Sequence, residues 1–421
     1  MLIFSINLFF LSFLIIYSLY SSRKGNLHFF SPFFFPFIIF SVFYLIPSSI
    51  NVLITGKDVL ETHHYLYFIA ILSFVIGVLI SRKLFRHKED AAAHEIGFAK
   101  GKEIPLLALN LFGIFLLLLY GVWSGITYGL LTGNDIEDLR RTAEIGKGFI
   151  KEPGIYFVSI SSLLLTGCYM KAGKKKIFGI KSLFIIVYSC FVIFITVAHK
   201  VALFLPLLLL LGLYNKYCKI SIKKLCFIGF IFIVGIGVVN FMRTGLEKTE
   251  FINDLMWKSV VVFAIYDANY VPIVKQVERG EIELQKGREY FQSAILIIPR
   301  FLYSEKPVSF DYFLKEKLNR TFSGGGLPPT PVGSLFLNFG LFGVIIGMLT
   351  IGLIYNYLYI LYITSSYSKS VLLLFLIYYI MNPSQLFGYL FIFLVSFIFI
   401  AFTSSIIYKA ASFRKRIALS L

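Results

Sequence analysis

The sequence predicts an all-α, polytopic integral membrane protein of about eleven transmembrane helices (about 10–12), with a large external loop that contains short amphipathic helices. Three observations lead there. The 421 residues are 58% hydrophobic with a mean hydropathy of +0.81 and only 15% charged, whereas a soluble domain carries about 25% charged residues. Runs such as Leu2–Tyr20, Phe68–Ser81, Leu106–Tyr120, Leu203–Tyr214 and Gly388–Tyr408 are nearly charge-free, and most approach the roughly 20 residues that cross a bilayer as helix. Alternation at period two is absent, which argues against a β-barrel.

Helices are expected over 2–21, 29–54, 64–81, 105–123, 154–170, 182–198, 201–215, 225–242, 331–361, 370–383 and 386–408. They divide the chain into an N-terminal bundle over 1–242, a large loop over 243–330 and C-terminal helices with a basic tail over 331–421. A smaller loop runs over about 124–153. The apolar runs Val260–Ile265 and Ala294–Ile298 inside the large loop are far too short to span, and read as amphipathic helices at the interface. The first apolar run lacks a small-residue cleavage site and reads as a retained helix.

Charge sets the orientation, because Lys and Arg stay on the cytoplasmic side. Placing Arg23–Lys24, Arg82–Lys102, Lys171–Lys181, Lys216–Lys224, Lys369 and Lys409–Arg416 inside collects 22 bases against four acids, Glu89, Asp90, Glu95 and Glu103. The formal net charge of +18 is then wholly cytoplasmic, and the outside is balanced. Nucleic-acid binding is not needed to explain it; anionic headgroups are a natural counterpart. An odd helix count puts the N-terminus outside and the C-terminus in the cytoplasm. The four cysteines lie in or beside apolar segments and suggest no disulfide framework.

Phosphate-binding G-x-x-x-x-G-K-[ST], H-E-x-x-H, C-x-x-C and G-x-S-x-G motifs are absent, so neither nucleotide hydrolysis nor zinc catalysis is supported and no cofactor or metal is expected. His63-His64 sits beside Asp58 and Glu61 in a short external loop. Adjacent histidines point to different faces of a helix, which favours an interfacial pair over a metal site. The expected spans hold almost no ionisable groups, unlike ion-coupled transporters. His199-Lys200 lies between two apolar runs, where Lys200 either snorkels to headgroups or faces an anionic substrate headgroup.

The strongest local pattern is Ile297-Ile298-Pro299-Arg300-Phe301-Leu302-Tyr303-Ser304-Glu305-Lys306-Pro307. An apolar run dips toward the interface, and prolines fix the chain around two cations. Arg300 either pairs with an acid such as Glu305 or presents its forked guanidinium to a phosphate. Downstream, Ser323-Gly324-Gly325-Gly326-Leu327-Pro328-Pro329 leads into Val332-Gly333-Ser334-Leu335-Phe336-Leu337-Asn338-Phe339-Gly340. Gly325 and Gly326 are either a hinge or a place where backbone approaches a ligand. Asn338, in the outer part of a long apolar span, must find a partner in protein or in substrate.

This layout, Pro-Arg followed by Lys-Pro, and the glycine-rich run before Asn338-Phe339-Gly340 resemble the Wzy-type O-antigen polymerases, the oligosaccharide repeat-unit polymerases. The resemblance covers nearly the whole chain as architecture, with local motifs confined to roughly 297–343. It implies a metal-independent glycosyltransferase of the bacterial cytoplasmic (inner) membrane. Undecaprenyl-diphosphate-linked oligosaccharides would be its substrates, and a chain-length regulator and flippase of the same pathway its partners. Many relatives carry an acid before the aromatic–Asn–Phe–Gly element, where this chain has Ser334. The Arg-x10-Gly spacing of some relatives is absent and is not transferred.

Breaking a glycosyl diphosphate bond builds negative charge on the leaving group, so placed cations lower the barrier. Arg300 is the first candidate, with Lys306, Arg243, Arg140, Arg141 and Lys200 as further diphosphate contacts. The attacking hydroxyl needs a base, for which Glu305, Asp267 and Asp311 are external candidates; Asn338, Gly325 and Gly326 are candidates for binding substrate. An O-antigen ligase is the nearest alternative. A lipid-linked oligosaccharide flippase or transporter, or a non-catalytic scaffold, belongs to another class.

Overall fold

A computed structural model describes residues 2–23, 29–55, 61–85, 102–132, 148–169, 180–197, 200–217, 220, 224, 227–229, 234–235, 271–295, 298, 302–305, 307, 314, 317, 330–381 and 383–420. The described residues are mostly helical, joined by turns and short irregular stretches such as 281–285, with no strand among them. In order the helices are α1 (Leu2–Arg23), α2 (Phe35–Phe40), a π-helical turn (Ser41–Leu45), α3 (Ile46–Thr55), α4 (Glu61–Phe85), α5 (Glu103–Ser124) and α6 (Ile126–Thr132). There follow α7 (Gly148–Cys168), α8 (Ile180–Val197), α9 (Lys200–Tyr217), α10 (Arg288–Ile295), α11 (Pro331–Thr364), α12 (Tyr367–Ile380) and α13 (Pro383–Ser420). The expected helix over 225–242 lies largely outside the described residues.

Among the described residues four helices are long and apolar enough to cross a membrane, over Thr62–Phe85, Glu103–Ser124, Pro331–Thr364 and Leu390–Lys409. Shorter apolar helices occupy Ile3–Tyr17, Lys181–Val197 and Tyr367–Ile380. Large apolar side chains stand exposed around the bundle, among them Phe9, Phe115, Phe184 and Phe402. Large apolar side chains exposed in such number are what hydrocarbon, rather than water, accepts. The chain is a multi-pass helical membrane protein.

Two helix pairs form the frame. The most extensive contact is between α4 and α11, and small residues permit it. A Cβ on Gly77 would fall on the Leu349 carbonyl oxygen, and one on Gly352 would fall on the Phe74 carbonyl oxygen. Asn356 then donates to Ser81 Oγ at 3.1 Å, and Tyr355 donates to the Phe30 carbonyl at 3.0 Å. In the second pair, α5 with α7, Gly113 lies against Phe157 and Val158, and Asn110 donates to Ser161 Oγ at 2.9 Å and the Val158 carbonyl at 3.2 Å.

Helix α7 is buried from Gly154 to Gly167 on every side, as expected of a helix in the centre of a bundle. Its hydroxyls return to its own preceding turns: Ser162 donates to the Ser159 carbonyl at 3.0 Å and Thr166 to the Leu163 carbonyl at 2.6 Å. Hydroxyls satisfied in this way tolerate an apolar surround.

Two polar features depart from the sequence expectation. His63 and His64 are not interfacial loop residues; both are buried in the first turn of α4. The π-helical turn brings Tyr44 to them. The Tyr44 hydroxyl lies 2.9 Å from His64 Nδ1, Asn7 donates to Tyr44 Oη at 2.8 Å, and Ser48 Oγ lies 3.3 Å from His63 Nε2. Lys216, expected just beyond the helix in the cytoplasmic segment Lys216–Lys224, is buried in the last turn of α9. Its ammonium donates to the carbonyls of Tyr362 at 2.7 Å and Ser365 at 2.5 Å and to Ser370 Oγ at 2.6 Å. It caps the negative end of α11, where a cation is favoured.

Candidate functional site: a broken helix pinned by the large loop

The expected long span over 331–361 is broken. Pro331 opens α11 in the first turn, where proline is tolerated, and Thr330 caps it by accepting the Gly333 N–H at 3.1 Å. At Gly340 the backbone turns to φ 66°, ψ −156°, a region effectively reserved for glycine. The chain folds back there: Leu335, eight and twelve residues before them, lies against both Gly343 and Gly347, a proximity no straight helix allows at 1.5 Å per residue. The part that can cross the membrane is therefore 341–364, and 331–338 is a short helix buried all round. Asn338 lies in that short helix and not in a continuous span.

A helix break frees carbonyls, and each must find a donor. The donors come from the large loop. Residues 271–278 are helical and end at Gly280 with φ 72°, where the Gly280 N–H reaches the Val277 carbonyl at 3.0 Å. Ile273 and Ile282 then pack with Leu314 and Leu337. This docking carries 285–287 across the break. The Gln285 N–H donates to the Leu337 carbonyl at 2.9 Å, Lys286 N–H to the Asn338 carbonyl at 2.8 Å, and Gly287 N–H to Asn338 Oδ1 at 3.0 Å. Lys286 adopts φ 50° to make this turn, a left-handed conformation that costs a non-glycine residue about 1–2 kcal/mol.

The turn launches α10 with Glu289 facing inward and fully buried. One carboxylate oxygen, Oε2, accepts from Asn338 Nδ2 at 2.5 Å and from Ser334 Oγ at 2.9 Å. Asn338 Nδ2 also donates to the Ser334 carbonyl at 2.8 Å, and the Tyr290 hydroxyl lies 3.2 Å from Ser334 Oγ. The Tyr290 ring stacks with Phe339, centroids 6.4 Å apart. Burial raises the Tyr290 phenol well above its ordinary value, its bond with Ser334 pulls the other way, and the Glu289 charge adds to the rise. Tyr290 is thus a neutral hydrogen-bonding group at physiological pH. Glu289 places a carboxylate beside Ser334 and Asn338 from another element.

Of the residues singled out from sequence, Asn338 stands in this cluster, with its amide nitrogen and oxygen both engaged by protein. Its side-chain partners are the Gly287 N–H, the Glu289 carboxylate and the Ser334 carbonyl. Glu305 is exposed in the turn 302–305, and Lys200 is the first residue of α9. Arg300, Lys306, Arg243, Arg140, Arg141, Asp267, Asp311, Gly325 and Gly326 lie outside the described residues. Sequence reading missed Glu289, Tyr290 and the break. The available signal was Ser334 and Asn338, four apart and therefore on one helix face.

Fold and site together define a multi-pass helical membrane protein with a polar loop hydrogen-bonded into a discontinuous helix. No protein-family profile, no curated protein and no solved structure matches the chain.

Proposed function

We propose that this protein polymerises undecaprenyl-diphosphate-linked oligosaccharide repeat units into O-antigen or a capsular or exopolysaccharide at the outer face of the bacterial cytoplasmic membrane. The topology of this reading has about eleven spans, the 243–330 loop outside and the C-terminus inside. The observation that carries it is the attachment of the loop. Three successive backbone amides, residues 285–287, and the Glu289 carboxylate join it to the broken helix, which fixes the described stretch 271–295 to the bundle. Reactions at a membrane surface depend on such fixed groups.

In the reaction, a sugar hydroxyl of one lipid-linked unit attacks the anomeric carbon of the growing chain. The carbon–oxygen bond to the diphosphate breaks, its electron pair leaves with undecaprenyl diphosphate, and the hydroxyl proton passes to a base. Arg300, with Lys306 and Arg243, supplies positive charge to the leaving group, and the sugar–diphosphate bond supplies the driving force. Exposed Glu305, Asp267 and Asp311 remain the candidates for the base. Glu289 acts as a positioning residue, since two donors already hold its Oε2.

Deleting the gene and sizing surface glycan tests the reading. Single repeat units on the final acceptor support a polymerase. Polymer retained on the lipid carrier indicates a ligase, and precursor trapped on the inner face indicates a flippase; either result overturns the proposal. Arg300→Ala is expected to cut polymerisation about 100-fold, by analogy with loss of an oxyanion donor, while the protein still reaches the membrane.

A further inference from the structure

Helix α10 is inside out. Its buried face holds Glu289 and Ser293, with Ser293 Oγ donating to the Glu289 carbonyl at 2.8 Å. Its open face holds Arg288 and, one turn on, Phe291, which is 71% exposed. A helix facing water does the reverse, because exposing a phenylalanine while burying a carboxylate loses on both counts. Around α10 the surface continues in kind. Leu284 and Phe339 are 38% and 44% exposed beside the Gly340 break, and Leu341 and Phe342 follow on the membrane helix. Two exposed cations, Lys286 and Arg288, lie within this apolar surface, and Lys286 is held there by its left-handed backbone. The exposed acid nearest in the chain, Glu283, precedes the turn.

We infer that residues 284–291, with Phe339, seat in the leaflet on the side of the 243–330 loop and hold an anionic phospholipid there. Phe291, Phe339 and Leu284 lie among acyl chains, and Lys286 and Arg288 meet the headgroup phosphate. Apolar contact paired with cations at the headgroup level is the chemistry of an interfacial lipid site. The inference holds whichever face of the membrane the loop occupies and whatever reaction the protein performs.

The test places an indole at Phe291 in the full chain, Phe291→Trp combined with Trp123→Phe and Trp257→Phe, reconstituted in bilayers of phosphatidylcholine. Brominated phosphatidylcholine or brominated phosphatidylglycerol is then titrated in. Phe342→Trp in the same background serves as a second reporter of the surface and shows that the bilayer is sensed if the first variant does not fold. The expected result is quenching at 291, with brominated phosphatidylglycerol favoured by about fivefold for each cation. Lys286→Gln with Arg288→Gln should abolish that preference while leaving quenching by brominated phosphatidylcholine. An unquenched indole at 291 beside a quenched one at 342 means protein covers α10, and overturns the inference. Equal quenching by the two brominated lipids overturns the assignment of the cations.

Discussion

At the scale of single residues, the arrangement rests on polar groups placed where water does not reach. Hydrogen bonds to a charged group are worth about 1.5–3 kcal/mol, and a buried donor left without its acceptor costs about 1–3 kcal/mol. Glu289→Ala strands donors on Asn338 and Ser334, so it should destabilise the protein by about 3 kcal/mol. Glu289→Gln keeps an oxygen in place and should lose less than half as much. Thermal unfolding in nanodiscs measures both, and equal midpoints for wild type and the alanine variant would show that the bond contributes nothing. Lys216 poses the opposite balance. Its removal leaves the carbonyls of Tyr362 and Ser365 to the longer contacts with Ser370 Oγ, at 3.3 and 3.5 Å, but also relieves the desolvation of a buried ammonium. Lys216→Met is therefore expected to cost less than Glu289→Ala, about 1–2 kcal/mol in the same measurement.

At the scale of elements, glycines separate two kinds of constraint. A Cβ on Gly340 would meet Leu284 at an ordinary 3.6 Å, so Gly340→Ala is opposed by backbone strain alone, about 1–3 kcal/mol. Gly352 and Gly77 have ordinary helical backbones, but a side chain there would overlap the carbonyl of the facing helix. Gly352→Leu should force α4 from α11, break the Asn356–Ser81 bond, and reduce the yield of folded protein more than Gly340→Ala does. Size-exclusion profiles and unfolding midpoints of the two variants give the order directly; the reverse order would mean the helix pair has slack. Sequence patterning located these helices because hydropathy over about 20 residues is a local property. It did not locate the break, because Gly340 sits in an unbroken apolar run. Nor did it show that α7 is central, since the buried hydroxyls of Ser159, Ser161, Ser162 and Thr166 dilute its hydropathy.

At the scale of the whole molecule, the charge distribution and the helix order make one joint prediction. Reporter fusions at residue 280 should read the face opposite to fusions at residues 95 and 415, because the proposed topology puts the 22 bases assigned to the cytoplasm and the 243–330 loop on opposite sides. A common face for 280 and 415 would require a different number of spans after the loop. The rigid attachment of 271–295 adds a second expectation. Backbone amides of 285–287 should exchange with deuterium slowly, like those of the bundle and unlike those of a tethered loop, since each is donated to the broken helix.

What sequence alone determined is the class of protein: helical and multi-pass. Those properties follow from composition and run length, which act without regard to what lies across the fold. Asn338 and its need for a partner were legible for the same reason, as one amide in an apolar stretch. Which partner it takes was decided only in three dimensions. Gly340 folds the chain back, the break frees the carbonyls of Leu337 and Asn338, and the loop docks its amides on them. That docking swings Glu289, 49 residues away in sequence, into the cluster. A backbone carbonyl in an apolar surround must be satisfied by whatever donor the fold delivers, and sequence spacing does not encode that delivery.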